Sequence, residues 1–193
     1  MKTALAEELT SKNPDQPLIE AVCSGDRCAF GELLRRHDGW VRAVIYGVLG
    51  DRDAVDDVAQ QVWTSCWQRA KGLRDPRLWR TWLYRLARNA AVDAGREKTR
   101  RRRQQQATAQ LWQRQETHAD SDRTLTHNEE HRSVLAAIEA LPALYREPFV
   151  LRHLSGWSYK RIADVMDMPV DTVETRLVRA RRLLRESLKD QPG

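Results

Sequence analysis

Glu174, Thr175, Val178, Arg179 and Arg182 bring together, within nine residues of chain, the side-chain types a DNA duplex requires. Their cations suit phosphates, and their short polar and methyl groups suit base edges. The spacing says how they are held. Val173, Leu177, Ala180 and Leu184 recur at i, i+4, i+7 and i+11, one apolar stripe at about 100° per residue. Thr175, Val178, Arg179 and Arg182 fall opposite, with Glu174, Arg181 and Arg185 on one flank and Arg176 on the other. Asp171 followed by Glu174 has the form of a capping box that starts this helix. Upstream, Ser158 is an N-cap for a helix carrying Ile162, Ala163 and Val165, which stops near Met166–Asp167 before Pro169 interrupts the pattern. Helix, tight turn and a second helix with an arginine-rich outer face is the helix-turn-helix pattern. An amphipathic helix pair with a solvated charged face is the bland alternative. The turn spacing, the cap and the one-sided arginines favour DNA.

Two further stretches could recognise a partner. The helix expected over Asp53–Gln68 buries Val55, Val58, Ala59, Val62 and Cys66. Its outer side carries Asp53, Asp57, Gln60, Gln61, Thr64 and Gln68, flanked by Asp56, Trp63 and Trp67. This is either a solvated face with two tryptophans folded onto the core edge, or a protein-binding surface anchored by aromatics. Asp56 and Asp57 are adjacent and do not face each other on a helix, so they form no catalytic carboxylate pair. After the polar loop 71–78, which carries Arg74 and Arg77, the helix Trp79–Ala94 has Trp79, Trp82, Leu83, Leu86 and Ala90 on its expected buried stripe. Its other side shows Thr81, Tyr84, Arg85, Arg88 and Arg96, with Asn89 at the margin. Cations interleaved with aromatics suit single-stranded DNA, and a core tryptophan pair under a solvated basic face is the competing reading.

The elements that position these faces are all helical. Leu18, Ile19 and Val22, then Ala29, Phe30, Leu33 and Leu34, begin a helical pattern after a frayed stretch 1–17, and a second apolar helix covers Trp40–Leu49. Gly95 is expected to close the unit 18–96. Residues 97–128 are rich in Arg, Gln, Thr and Asp and cannot bury enough apolar surface to offset their ordering entropy, so they read as a flexible linker with at most a local helix around Gln104–Gln115. Arg100–Arg103 within it either help hold phosphates or form a solvated charge run. His127, Glu130 and His131 satisfy the H-x-x-E-H pattern of zinc hydrolases, without an apolar stripe or a third ligand to support it. From residue 129 a helix with Val134, Leu135, Ile138 and Leu141 opens a second unit, 129–193, in which Tyr145, Phe149, Val150, Leu151 and Leu154 pack on the helix-turn-helix. The expected class is all-α, two small domains, with no catalytic constellation, cofactor or metal.

Composition agrees. The 193 residues carry a net charge of +6, which suggests an anionic partner. No apolar run long enough to span a membrane and no secretory signal is present, and Cys23, Cys28 and Cys66 read as reduced buried thiols of a cytoplasmic protein.

Residues 54–67, 79–93 and 141–184 together resemble bacterial RNA polymerase sigma factors of the extracytoplasmic-function (ECF) type, which retain only regions 2 and 4. The resemblance covers nearly everything from 18 to 188 except the linker. It implies that Asp53, Asp57, Gln60, Gln61 and Trp63 dock on the clamp of the largest polymerase subunit. It implies that Arg74 and Arg77 of the loop, with Trp82, Tyr84, Arg85, Arg88 and Asn89, recognise and melt the minus-ten element of promoter DNA. Glu174, Thr175, Val178 and Arg179 would face bases of the minus-thirty-five element, with Arg182 on phosphate or packing. Gln61 stands where the family usually has Glu, and Lys160 and Arg161 replace acids common at the start of the first helix of the helix-turn-helix. Family members are often held inactive by an anti-sigma factor, and no residue of this sequence identifies one. An autonomous helix-turn-helix regulator is the alternative, but it has no use for the two faces of the first unit.

Overall fold

A computed structural model describes residues 14–112 and 129–189, and every regular element among them is helical. In chain order these are α1 (Gln16–Cys23), α2 (Arg27–Leu49), α3 (Val55–Arg69), α4 (Trp79–Trp112), α5 (Glu129–Ala140), α6 (Ala143–His153), α7 (Tyr159–Met166) and α8 (Val170–Lys189), with two 3₁₀ turns between α3 and α4. No helix among the described residues is long and apolar enough to cross a membrane.

Asp26 caps α2 by accepting from the backbone N–H groups of Cys28 and Ala29 at 2.7 and 3.1 Å. The helix then runs without a break where two were expected. Gly31 and Gly39 cost it about 1 kcal/mol each relative to alanine, and the continuous buried stripe of Leu33, His37, Trp40, Val41, Val44 and Ile45 offsets this. Gly50 ends α2 with φ of 64°, its N–H bonding Tyr46 O. A Cβ there would also lie 2.3 Å from the Arg146 guanidinium, so the position is closed to other residues on two counts.

The largest departure from expectation is α4, which passes through Gly95 and continues to Trp112. Gly95 is not in the left-handed conformation that would end a helix. Beyond it Glu97 holds Arg100 and Arg101 at 3.1 and 2.9 Å, the i+3 and i+4 pairings that support a helix. Lys98 reaches Asp51 at 2.6 Å and ties the extension to the body. Much of the expected linker is therefore helix, and 113–128 lie outside the described residues. The His127–His131 match also falls outside the residues whose side chains are described.

The two units do not keep separate cores. Leu33, Val44, Val62 and Leu83 of the first and Leu151, Ile162, Val173 and Leu177 of the second belong to one buried cluster. Trp40 meets Trp157 across the junction with ring centroids 5.2 Å apart. The buried stripe of α4 is turned accordingly. Trp79, Leu83, Tyr84, Ala87 and Ala91 are buried, while Trp82, Leu86 and Ala90 are only half-buried. Small alanines let α4 lie close to α2, and the second unit covers the Tyr84 side. Leu154, expected in this packing, is exposed, and Trp157 fills the junction instead. Cys66 is buried, which pushes its thiol up to about 12, whereas Cys28 is exposed at the start of α2 and Cys23 lies between.

His37, buried on α2, stands 3.3 Å from Asp15 and beside Trp79. Arg80 also pairs with Asp15, at 2.5 Å. Burial holds the His37 pKa below its usual value. Asp15 opposes that shift, and Arg80 and Arg161 add to it. The unfolded chain therefore takes up the proton more readily, and the native state loses stability as pH falls below about 6.5. We expect the urea midpoint to drop between pH 7.5 and 5.5, and His37→Gln to reduce that drop. His153, whose pKa is likewise lowered by burial, adds to the drop. An unchanged pH profile in the variant would show that His37 does not contribute.

Candidate nucleic-acid and protein interfaces

On α8 the residues that hold the helix and those that face outward separate cleanly. Val173, Leu177 and Ala180 are buried, and Glu174, Thr175, Val178, Arg179 and Arg182 are all exposed. Val178 is 54% exposed, an apolar group offered to solvent on an otherwise polar face, as a contact for a thymine methyl requires. The Thr175 hydroxyl donates to Asp171 O at 2.8 Å, which fixes its rotamer. Arg182 has Glu186 at 3.5 Å, and among the described residues no ion pair holds Arg179. The supporting turn is as expected. The Ser158 side chain accepts from Arg161 N, α7 stops at Met166, and Asp167 takes the left-handed conformation at φ 55°. The capping box does not form. Pro169 O receives the N–H groups of Thr172 and Val173, α8 begins at Val170, and Asp171 sits inside the first turn, where its charge complements the helix dipole.

The basic side of α4 is partly covered. Arg85 and Asn89 are exposed, as are Arg74 and Arg77 in the loop, where Asp75 caps the second 3₁₀ turn by accepting from Arg77 N. Trp82 is half-buried, and Tyr84 is buried, not displayed as expected. The Tyr84 hydroxyl donates to Glu147 Oε1 at 2.5 Å, and Arg88 Nε lies 3.3 Å from the same carboxylate. Burial, then the Glu147 charge, raises the Tyr84 pKa well above that of an ordinary phenol, so it remains a donor. Arg85 approaches Asp167 at 3.8 Å. Three residues of the expected minus-ten face thus contact the second unit.

The α3 face divides differently. Asp53, Asp57, Gln60 and Gln61 are exposed. Trp63 is not a surface anchor. It is 5% exposed, and its indole N–H donates to Asp38 at 2.7 Å, tying α3 to α2. Phe30 packs against both Trp63 and Trp67, with centroids 6.0 and 5.1 Å apart. Asp56 pairs with Arg42. A groove of about 1010 Å³ runs between α3 and α4, lined by Asp57, Gln61, Ser65, Asn89, Asp93 and Glu97 among others.

Sequence reasoning missed Arg146 and Glu147, charged residues buried at 6% and 4% on an apolar helix. A charge within the Tyr145–Leu151 run was the available signal, but nothing local says what it meets. Arg161, one of the family departures, lies half-buried with its guanidinium 4.2 Å over the Trp157 ring, a cation–π contact at the junction.

A helix-turn-helix unit with a free reading face, joined to a second helical unit with a basic aromatic helix and an acidic-amide face, defines a DNA-binding protein with a surface left for a protein partner. Residues 33–101 match the sigma-70 region 2 family and residues 131–184 the sigma-70 region 4 family. The ECF RNA polymerase sigma-E factor of Haemophilus influenzae is 30% identical over 191 residues, covering 96% of this chain and 98% of the relative. The RNA polymerase sigma-H factor of Pseudomonas aeruginosa is 31% identical over 187 residues, covering 94% and 97%. Among solved structures, CnrH in complex with the cytosolic domain of CnrY aligns with a TM-score of 0.63 at 25% identity, over 92% of this chain and 99% of that one. The chain belongs to the ECF sigma factors, which direct transcription initiation by bacterial RNA polymerase. Similarity across both units leaves the autonomous regulator without support.

Proposed function

We propose that this sigma factor docks on the clamp of core RNA polymerase through Asp53, just before α3, and the exposed α3 face of Asp57, Gln60 and Gln61. Arg74, Arg77 and the α4 face of Trp82, Arg85, Arg88 and Asn89 take the minus-ten element, and α8 reads the minus-thirty-five element. Tyr84 and Arg88 serve that role once Glu147 lets them go. The protein works in the bacterial cytoplasm and carries no catalysis of its own. The outer face of α8 carries this reading: three apolar residues locked in the core beneath an exposed Glu, Thr, Val and Arg set at base-edge spacing. A cytosolic protein partner is supported by the solved relative CnrH, whose structure is a complex with the cytosolic domain of CnrY, and an anti-sigma factor is the class of partner we assign.

The test is capture of bacterial core polymerase by the purified chain, followed by transcription from a promoter library. Stoichiometric capture with initiation from a restricted promoter set is expected. Duplex binding without capture would overturn the reading. In the same assay Arg179→Ala should weaken the preferred upstream element by about 1–3 kcal/mol, the usual worth of a bidentate base contact. Equal loss on random duplex would reassign Arg179 to phosphate.

A further inference from the structure

The extension of α4 beyond Gly95 has no part in the function argued so far. Between Arg96 and Gln106 it holds six cations and a single acid, Glu97, and every residue but Glu97 is exposed. Like charges at helical spacing oppose one another, so a solvated surface helix would ordinarily alternate sign. Three of the cations also share one line. At about 100° per residue, Arg103 lies five full turns beyond Arg85, and Arg96 and Arg100 fall within about 60° of that line, as do Arg88 and Asn89. From Arg85 to Arg103 the stripe runs roughly 27 Å at about 1.5 Å per residue. It is continuous with the face assigned to the minus-ten element and flanks a groove of about 990 Å³ floored by Val48, Leu49, Ala91 and Val92. The bond from Lys98 to Asp51 fixes the extension to the first unit, so the stripe keeps a set direction.

We propose that Arg96, Arg100 and Arg103 form a cationic rail for the phosphate backbone of double-stranded DNA next to the minus-ten element. The chain order gives the side. The loop and the first turns of α4 hold the strand-opening residues, and the stripe runs from them to the end of the helix that precedes, in chain order, the unit proposed to read the minus-thirty-five element. The rail therefore lies on the duplex between the two elements. Arginine forks suit phosphate oxygens without regard to sequence, so the rail adds affinity and direction, not base specificity. This rests on the sigma reading above.

The test compares wild type, an Arg96→Gln, Arg100→Gln, Arg103→Gln variant and a control variant, Arg27→Gln, Arg35→Gln, Lys189→Gln. The control removes three exposed charges elsewhere. Each full-length chain is bound to core polymerase, and promoter-complex affinity is measured against salt on the selected promoter. It is measured again on a template lacking duplex upstream of the minus-ten element. Glutamine preserves helix propensity, and circular dichroism confirms it. The rail variant should capture polymerase normally, lose about tenfold or more in promoter affinity, and show a salt slope shallower by about 2.7, for three phosphates at about 0.9 each. On the truncated template it should match wild type. A wild-type salt slope in the rail variant would overturn the proposal. So would a loss of the same size in the control variant, a difference that persists on the truncated template, or weakened polymerase capture. Failure of wild type itself to form a promoter complex would instead fault the sigma reading.

Discussion

Arg146→Ala is expected to cost the folded chain about 3 kcal/mol, the scale of a few charge-assisted hydrogen bonds lost from a buried site. Its guanidinium donates from Nε to Gly47 O at 3.0 Å, from Nη2 to Val48 O at 3.0 Å, and from Nη1 to Leu141 O at 2.9 Å and Glu139 O at 2.6 Å. Those carbonyls belong to the ends of α2 and α5, where the helix ladder leaves acceptors without partners and the dipole is negative. One cation thus satisfies two helix ends from different units, directly beneath Gly50. Alanine would strand the carbonyls and leave a void, which entering water relieves only in part. With a urea dependence of about 2 kcal/mol/M, the midpoint should fall by roughly 1.5 M. Arg146→Lys should recover less than half, since an ammonium lacks the fork that spans both ends. A midpoint within about 0.2 M of wild type would show that the junction contributes nothing to stability in solution.

The same junction bears on function. Glu147, next to Arg146, occupies Tyr84 and Arg88. On the proposed minus-ten reading, a DNA strand on the α4 face and the second unit in this place would compete for those two side chains. The contacts at this junction come from the pair of residues that sequence reading passed over.

How much could be read in the sequence follows from how far each contact reaches. The helix-turn-helix was legible because its determinants are local: the Ser158 cap, the stop at Asp167 and the four-residue spacing of Val173 and Leu177. The exposed α3 carboxylate and amides were legible for the same reason. Trp63 was not, because an aromatic at the margin of a stripe folds inward or outward according to what waits for it. Here Asp38 waits, 25 residues away. The turned stripe of α4 has the same origin. Its period was clear, but its phase is set by the second unit closing over Tyr84. The helix beyond Gly95 was hidden by composition: polar and preceded by a glycine, it reads as linker, and its pairings from Glu97 and from Lys98 to Asp51 support it.

The second large effect concerns α3. Asp57→Arg with Gln61→Arg is expected to abolish capture of core polymerase, weakening it by at least about 3 kcal/mol, or roughly a hundredfold, because two cations replace an anion and an amide at the docking surface. Both positions are exposed and form no ion pair among the described residues, so the fold should change by no more than about 0.5 kcal/mol. Trp63 is left untouched, since its burial against Asp38 makes any change there a test of folding. Asp56 is left for the same reason, being engaged by Arg42. The readouts are polymerase capture and, separately, anisotropy of a labelled duplex carrying the upstream element, which α8 alone should read. Capture lost with duplex binding intact assigns α3 to the polymerase. If both fall together the variant has misfolded or the units communicate, and the urea midpoint separates those cases. Capture at wild-type strength would move the docking surface off α3.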